Sequence, residues 1–313
     1  MRPGKLLMLD LTMTDLDSWE PGFLTAGGAA LLGLVATTCL LRNRKYFAGT
    51  TLWASWCWTL VAVACVAGVE VFAGMANWNH NQAELQSLRF LAGLSTCCPG
   101  VAILGAKRPQ HRVWQFAVIS LWTVVALPVA ESWFLGPGGP VHTQGFRAWF
   151  LCLIVFVCSA NFLPTRFGWW ACGGACSQLL LLAGHIPLLP DSLGTAGTLS
   201  GMALAVGMLV LVASGIPARS STKLPAERMW IDFRDAFGVL WALRIAERVN
   251  EMAQRSNGGL HLEWRGIRRL SEDRAGVEID SADLLALDKN LRSLLRRFVS
   301  RDWLDRRKPN EAE

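Results

Sequence analysis

The chain has 313 residues, of which 52% are hydrophobic and only 17% are charged, and its formal net charge is +6. A soluble domain carries about a quarter charged residues, so the composition argues against a single soluble domain. The positive charge does not indicate nucleic-acid binding, because much of it lies in short loops between apolar runs, where it is typical of a membrane topology signal.

The uneven distribution of charge divides the sequence into three parts. Charged residues are rare between residues 21 and 216, whereas about every third residue is charged in the part that follows. We therefore predict an extracytoplasmic N-terminal segment over 1–20, a transmembrane domain over 21–217 and a cytosolic C-terminal domain over 218–313. The N-terminal segment does not resemble a secretory signal, because Asp10 interrupts its apolar run.

Apolar runs of about the 20 residues that a membrane helix needs fill the second part. The sequence predicts an all-α integral membrane bundle of about seven transmembrane helices, and many of the 15 Trp residues lie near the ends of the runs, as at a headgroup boundary. The fifth and sixth runs could instead form a re-entrant hairpin. The seven runs are 22–41, 49–74, 88–106, 113–135, 148–164, 167–188 and 195–217.

Basic residues cluster in alternate loops of this arrangement, and cytoplasmic loops carry the Lys and Arg excess of a membrane protein. We therefore expect the N-terminus outside, the C-terminus in the cytosol, and a bacterial-type inner (plasma) membrane as the location. The basic residues that give this orientation are Arg42, Arg44, Lys45, Lys107, Arg108, Arg112, Arg166, Arg219 and Lys223.

The third run contains Cys97 and Cys98 directly before Pro99. Proline removes a backbone donor, so we predict a bend here rather than a redox site. Cys172 and Cys176 share a helix face and are weak candidates for a soft metal such as Cu(I). The small residues around them are more typical of a close helix–helix contact, so we expect neither a metal nor another cofactor.

Five ionisable side chains are predicted to lie in the outer half of the membrane, where such groups are costly. One hypothesis is that the two glutamates neutralise the two arginines. The other is a ligand pocket that binds a cation or an anion, with the histidine as a ligand or proton carrier. A metal or haem site formed with His80 and His142 has no spacing to support it. The five ligand-binding candidates are Glu70, Arg89, Glu131, Arg147 and His185.

The cytosolic part is predicted to be mainly helical with a short β-hairpin. Residues 226–255 have apolar side chains at helical spacing and predict one long helix, with Asp235 on its polar side. A strand is predicted over 260–265 with a short partner at 277–279, followed by a final helix with apolar positions from Leu284 to Trp303.

The aromatic stripe of the long helix requires a partner, which could be another part of the chain, a second copy, another protein or the inner membrane surface. The partner-binding candidates are Trp230, Phe233, Phe237 and Trp241.

No nucleotide-binding, hydrolase, metalloprotease or kinase motif is visible in the cytosolic part. Three functional hypotheses follow. The first is a non-enzymatic membrane anchor, sensor or assembly scaffold whose cytosolic domain binds a partner or dimerises. The second is a transporter or ligand carrier that uses the outer polar residues, and the third is a membrane enzyme that handles haem or lipid.

Overall fold

The computed structural model describes residues 13–75, 82–134, 141, 143, 145–216, 224–256, 259–269 and 281–307, and within them the chain is mostly helical. The first eight helices are α1 (Met13–Phe47), α2 (Trp53–Met75), α3 (Gln82–Ser95), α4 (Cys98–Leu104), α5 (Trp114–Phe134), α6 (Phe146–Ala160), α7 (Gly168–Leu182) and α8 (Asp191–Ala213). The remaining elements are α9 (Pro225–Arg255), β1 (Leu260–Glu263), β2 (Gly266–Arg269), α10 (Ser281–Leu295) and α11 (Arg301–Asp305).

Four helical segments among the described residues are long and apolar enough to cross a membrane, so the coarse prediction of a helical membrane protein is supported. They correspond to the first four predicted runs, and α3 and α4 together form the third of them. The predicted count of seven is not reached by length, because α6 and α7 have only 15 residues each and the apolar part of α8, Gly197–Ala213, is also shorter than a full span. The four segments are Gly22–Phe47, Trp53–Met75, Gln82–Leu104 and Trp114–Phe134.

The third run is interrupted close to the predicted bend. Helix α3 ends at Ser95, and α4 begins at Cys98 with Pro99 in its first turn. A proline is tolerated at that position because the first backbone N–H groups of a helix have no intrahelical acceptor. The interruption therefore begins before the proline, at Thr96 and Cys97.

Small residues bring α7 and α8 close together. The hydroxyl of Ser177 on α7 donates a hydrogen bond of 2.7 Å to the carbonyl oxygen of Gly201 on α8. A Cβ atom on Gly173 would lie 2.7 Å from Met208 of α8. The predicted close contact at Gly173 is therefore present, because small side chains let two helix backbones approach each other.

The C-terminal part corrects the prediction of one long helix over 226–255. Within α9, Gly238 has φ 80° and ψ −176°, which is not a helical conformation, so the helix is broken there. A glycine accepts a positive φ without the steric clash that a Cβ atom would cause. Gly238 itself is only a weak signal of the break, since a single glycine in a helical pattern is often tolerated.

The sheet and the last helix also differ from the prediction. Strand β1 pairs antiparallel with β2 across the two-residue turn formed by Trp264 and Arg265, while the predicted partner at 277–279 lies outside the described residues. The predicted helix through Leu284–Trp303 is divided into α10 and α11, because Val299 between them forms a bridge to Thr50.

A single buried apolar cluster joins the C-terminal helices to the loops between the transmembrane helices. It includes Leu52 and Ala106 from two of those loops, together with side chains of α9, β1, α10 and α11. A separate cluster fills the space between α3, α4, α5 and α6. The C-terminal residues therefore pack directly against one end of the bundle.

The contact between α7 and α8 predicts opposite effects for one substitution at two positions of α8. A Cβ atom at Gly197 would lie 2.5 Å from the carbonyl oxygen of Leu180, whereas Gly207 has open space around it. We expect Gly197→Ala to lower the free energy of unfolding by about 1–3 kcal/mol through overpacking. Gly207→Ala should be neutral or raise it by up to about 1 kcal/mol, because alanine favours helix. Thermal unfolding in detergent measures both, and equal effects would contradict the close contact.

Candidate functional site

The predicted outer polar residues form separate pairs instead of one open group. Arg89 on α3 donates from Nε and Nη2 to the two carboxylate oxygens of Glu70 on α2, both at 2.7 Å. The Glu70 side chain is 5% exposed and that of Arg89 is 33% exposed. A buried, bidentate pair of this kind satisfies both charges, so neither side chain is free to bind an ion without breaking the pair.

A cavity of about 10 Å³ lies beside this pair and is lined in part by Val69, Ala92 and Thr198. A cavity needs roughly this volume to hold one water molecule. The space next to Glu70 therefore accommodates a water, but not an organic ligand, in the described conformation.

The second pair lies at the end of α5. Arg147 on α6 donates from Nη1 and Nη2 to the carboxylate oxygens of Glu131, again at 2.7 Å, but both side chains are nearly half exposed. The predicted neutralisation of glutamates by arginines is therefore what the side chains do in both cases.

His185 is buried, and its ring lies against a backbone carbonyl. It ends a short 3₁₀ turn after α7, and its Nδ1 lies 3.0 Å from the carbonyl oxygen of Val141. The backbone N–H and the hydroxyl of Thr143 donate to the carbonyl oxygen of His185 at 2.9 and 2.7 Å. These bonds connect the residues before α6 to the end of α7. His80 and His142 lie outside the described residues.

The weak metal candidates Cys172 and Cys176 are exposed on α7, and all nine cysteines are free thiols. Within the part of the chain that the structure describes, no group of three His, Cys, Asp or Glu side chains is placed to hold a metal ion.

The four aromatic residues predicted to bind a partner are already covered by the chain itself. Trp230, Phe233 and Phe237 are fully buried and Trp241 is 6% exposed. Phe298, which follows α10, contacts Phe233, Phe237 and Trp241 edge-on, with ring centroids 5.0–5.4 Å apart. Of the alternatives left open by the sequence, packing within the chain is the one that the structure contains.

Three loops at one end of the bundle hold the C-terminal residues. In the loop between α1 and α2, the backbone N–H of Thr51 donates to the carbonyl oxygen of Phe298, and that of Ser300 donates to Gly49. In the loop between α4 and α5, the N–H of Arg108 donates to the carbonyl oxygen of Arg297 at 2.9 Å. The indole N–H of Trp241 reaches the carbonyl oxygen of Ile103 at the end of α4, 3.0 Å away.

The third loop, between α6 and α7, completes the break in α9. The side chain of Asn161 donates from Nδ2 to the carbonyl oxygen of Phe237 at 3.2 Å and accepts at Oδ1 from the N–H of Leu240 at 3.0 Å. Its own carbonyl oxygen accepts from the N–H of Val239 at 2.8 Å. Buried backbone groups need partners, so this one residue satisfies three groups that the break releases.

A buried charge lies one helical turn before the break. The Asp235 carboxylate is fully buried, accepts two hydrogen bonds from Arg234, and has its Oδ2 atom 3.2 Å from Nε of Arg166 in the same loop as Asn161. We call Asn161, Arg166, Asp235 and Gly238 the α9 joint. A Cβ atom at Gly238 would lie 2.2 Å from Nδ2 of Asn161, so only glycine fits this position.

Trp264 adds a further bond between this loop and the C-terminal part. Its indole N–H donates to the carbonyl oxygen of Pro164 at 3.1 Å, while the Arg234 guanidinium lies over its ring.

Sequence reasoning missed the α9 joint. Arg166 entered only as a topology signal, and Asp235 was placed on the polar side of a helix. Two signals were present: a glycine inside a strongly aromatic helical pattern, and an asparagine that follows directly on an apolar run. Neither indicates its partner, because Asn161 and Gly238 are far apart in the sequence.

Comparison of the chain with protein families, curated proteins and solved structures gives no match.

The α9 joint predicts that Asn161→Ala destabilises the protein more than another asparagine substitution. The change leaves the carbonyl of Phe237 and the N–H of Leu240 without their partner, at a cost of about 1–3 kcal/mol. Hydrogen exchange at Leu240 should accelerate. The control is Asn43→Ala, which removes only a bond to the carbonyl of Cys39 in its own helix. Equal effects of the two substitutions on unfolding and exchange would exclude a special role for Asn161.

The two glutamate–arginine pairs predict unequal responses to loss of charge. Glu70→Gln leaves Arg89 without its carboxylate in a largely buried place, and we expect a loss of about 2–3 kcal/mol in the free energy of unfolding. Glu131→Gln should lower it by less, because its pair is nearly half exposed. Thermal unfolding in the same detergent measures both, and a larger loss for Glu131→Gln would contradict the assignment.

Proposed function

We propose that the chain is a non-enzymatic multi-pass protein of the inner (plasma) membrane that acts as a membrane-anchored sensor or assembly scaffold. In this proposal the cytosolic C-terminal domain is docked on the helical bundle, and a change in the conformation of the bundle changes the conformation of this domain. The observation that carries the proposal is Asn161, because a residue at the end of α6 supplies hydrogen bonds that α9 needs.

The membrane placement is supported by the lateral surface of the bundle. Large apolar side chains such as Leu24, Phe116, Phe134 and Phe156 are more than half exposed on α1, α5 and α6. Apolar surface of this extent marks contact with lipid or with another protein. The four long apolar helices favour lipid.

Seven passes with an outer N-terminus remain the topology that we propose. The three loops in contact with the C-terminal residues are alternate ones, as expected if successive helices cross in opposite directions. The lengths of α6 and α7 count against seven passes. A 15-residue α-helix is only about 22 Å long, which is shorter than a hydrocarbon core of about 30 Å. To cross the membrane, α6 and α7 would have to include neighbouring non-helical residues in their spans, namely Asn161–Phe167 and the residues around His185.

The carrier alternative has less support. It requires Glu70, Arg89, Glu131, Arg147 and His185 to share a site, whereas the glutamates and arginines bind each other in two pairs. The alternative of a haem-handling enzyme has a simple test, since purified protein with a Soret absorption band would favour it over the scaffold.

The docking of the C-terminal domain is tested by replacing each of two tryptophans, in separate variants, with phenylalanine. Trp241→Phe keeps an aromatic ring in the core but loses the bond to Ile103 in the bundle. Trp230→Phe loses a bond to Glu263, which lies in the C-terminal part itself. Hydrogen-exchange mass spectrometry of the full chain in detergent should show faster exchange in residues 98–113 for Trp241→Phe only. Unchanged exchange there in both variants would mean that the C-terminal domain is merely tethered.

The orientation is tested with a protease that cannot cross membranes. A tag after residue 313 should be protected in sealed spheroplasts and cleaved in inverted vesicles. Cleavage in spheroplasts would place the C-terminal domain outside and overturn the cytosolic assignment.

A further inference from the structure

A group of exposed basic side chains lies where the C-terminal residues meet two of the loops. We call it the basic end cluster. None of its members forms an ion pair with a carboxylate among the described residues. The cluster consists of Lys45, Arg108, Arg112, Arg296, Arg297 and Arg301.

Backbone contacts assemble this cluster from three distant segments. The N–H of Arg108 bonds the carbonyl oxygen of Arg297, and Ser300 bonds Gly49 just after the end of α1. The hydroxyl of Thr51 donates to the carbonyl oxygen of Ala106, which joins the two loops to each other. The charges from α1, from the loop before α5 and from the end of α10 therefore share one end of the bundle.

Two arginines close to the basic end cluster in the sequence have carboxylate partners, in contrast to the members of the cluster. Arg292 binds Asp288 on the same helix, and Arg307 binds Asp232 on α9. Basic residues on either side of Arg296, Arg297 and Arg301 are thus paired, while these three have no ion pair with a carboxylate in the part of the chain that the structure describes. The pKa of His111, in the same loop as Arg108, is held below its usual value by burial and then by Arg108 and Arg112.

The basic end cluster is continuous with apolar surface at the ends of two long helices. Val113 and Phe116, at the start of α5, are 70% and 72% exposed, and Trp53 at the start of α2 is 44% exposed. Aromatic and apolar side chains next to basic residues at the end of a membrane helix are typical of the headgroup boundary.

We propose that the basic end cluster binds the phosphate headgroups of anionic phospholipids in the membrane that holds the bundle. The charge is complementary, and arginine guanidinium groups bind phosphate oxygens in a bidentate manner. Basic loops alone would follow from membrane topology. Arg296, Arg297 and Arg301 come from the far end of the chain, and docking of the C-terminal domain adds them to the same surface. The inference therefore rests on the proposed membrane placement and docking.

The test compares the full chain with Arg296→Gln/Arg297→Gln and with a control that removes the same charge elsewhere. The control is Arg255→Gln/Lys289→Gln, since both residues are exposed and lie at the end of α9 and on α10. Binding of phosphatidylglycerol and of phosphatidylcholine is measured by titration into purified protein in neutral detergent, with native mass spectrometry as the readout. One basic residue near an anionic surface contributes about five-fold in affinity, so the first variant should bind phosphatidylglycerol at least about five-fold more weakly. The control should bind it as the unmodified chain does.

Three results would overturn the proposal. The first is equal binding of the two lipids by the unmodified chain, and the second is equal loss of binding in the variant and the control. The third is displacement of bound phosphatidylglycerol by an equal concentration of inorganic phosphate. The two proposals fail separately, because the exchange test of docking uses no anionic lipid. If the exchange experiment gives the expected result but the chain shows no preference for phosphatidylglycerol, only the lipid-binding proposal fails.

Discussion

Backbone groups that a helix releases at a break must find other partners when the break is buried, and α9 finds them in Asn161. This constraint fixes much of the remaining arrangement. Gly238 has to be a glycine, because its φ is positive and Asn161 occupies the space of a side chain. The turn between α6 and α7 has to lie against α9, which brings Arg166 to the buried Asp235. The aromatic residues before the break then face Phe298 and the loops.

The two ends of the bundle differ in how far their charged side chains are neutralised by ion pairs. At the end near His185, glutamates and arginines from neighbouring helices neutralise each other in two bidentate pairs. At the other end, Arg166 and Arg234 are used to hold Asp235, while further basic residues have no carboxylate partner among the described residues. One end of the bundle therefore has its charges neutralised by ion pairs, whereas the other end presents cationic side chains.

The sequence predicted what depends on local composition and periodicity. Long apolar runs predict helices of membrane length, and the spacing of Trp230, Phe233, Phe237 and Trp241 predicts a helix with one buried face. What covers that face was not predictable, because Phe298 lies after two further elements and belongs to another helical pattern. The charge pairs were predictable only as a possibility, since depth in the membrane does not fix which glutamate meets which arginine. The partner of the break in α9 was not predictable, because Asn161 lies far from Gly238 in the sequence.

The bridge between Thr50 and Val299 has a consequence for the order of events during synthesis. The first helical hairpin of the bundle leaves the ribosome early, but its connecting loop can be covered only after almost the entire polypeptide has been translated. At about 5–20 residues per second, that interval lasts on the order of ten seconds or more. During this interval the backbone of Gly49 and Thr51 lacks the partners that Ser300 and Phe298 supply, and the side chain of Leu52 lacks its apolar cover. Nascent chains that stall before residue 297 would therefore carry an open site on an inserted bundle, which is a natural target for chaperones and membrane proteases.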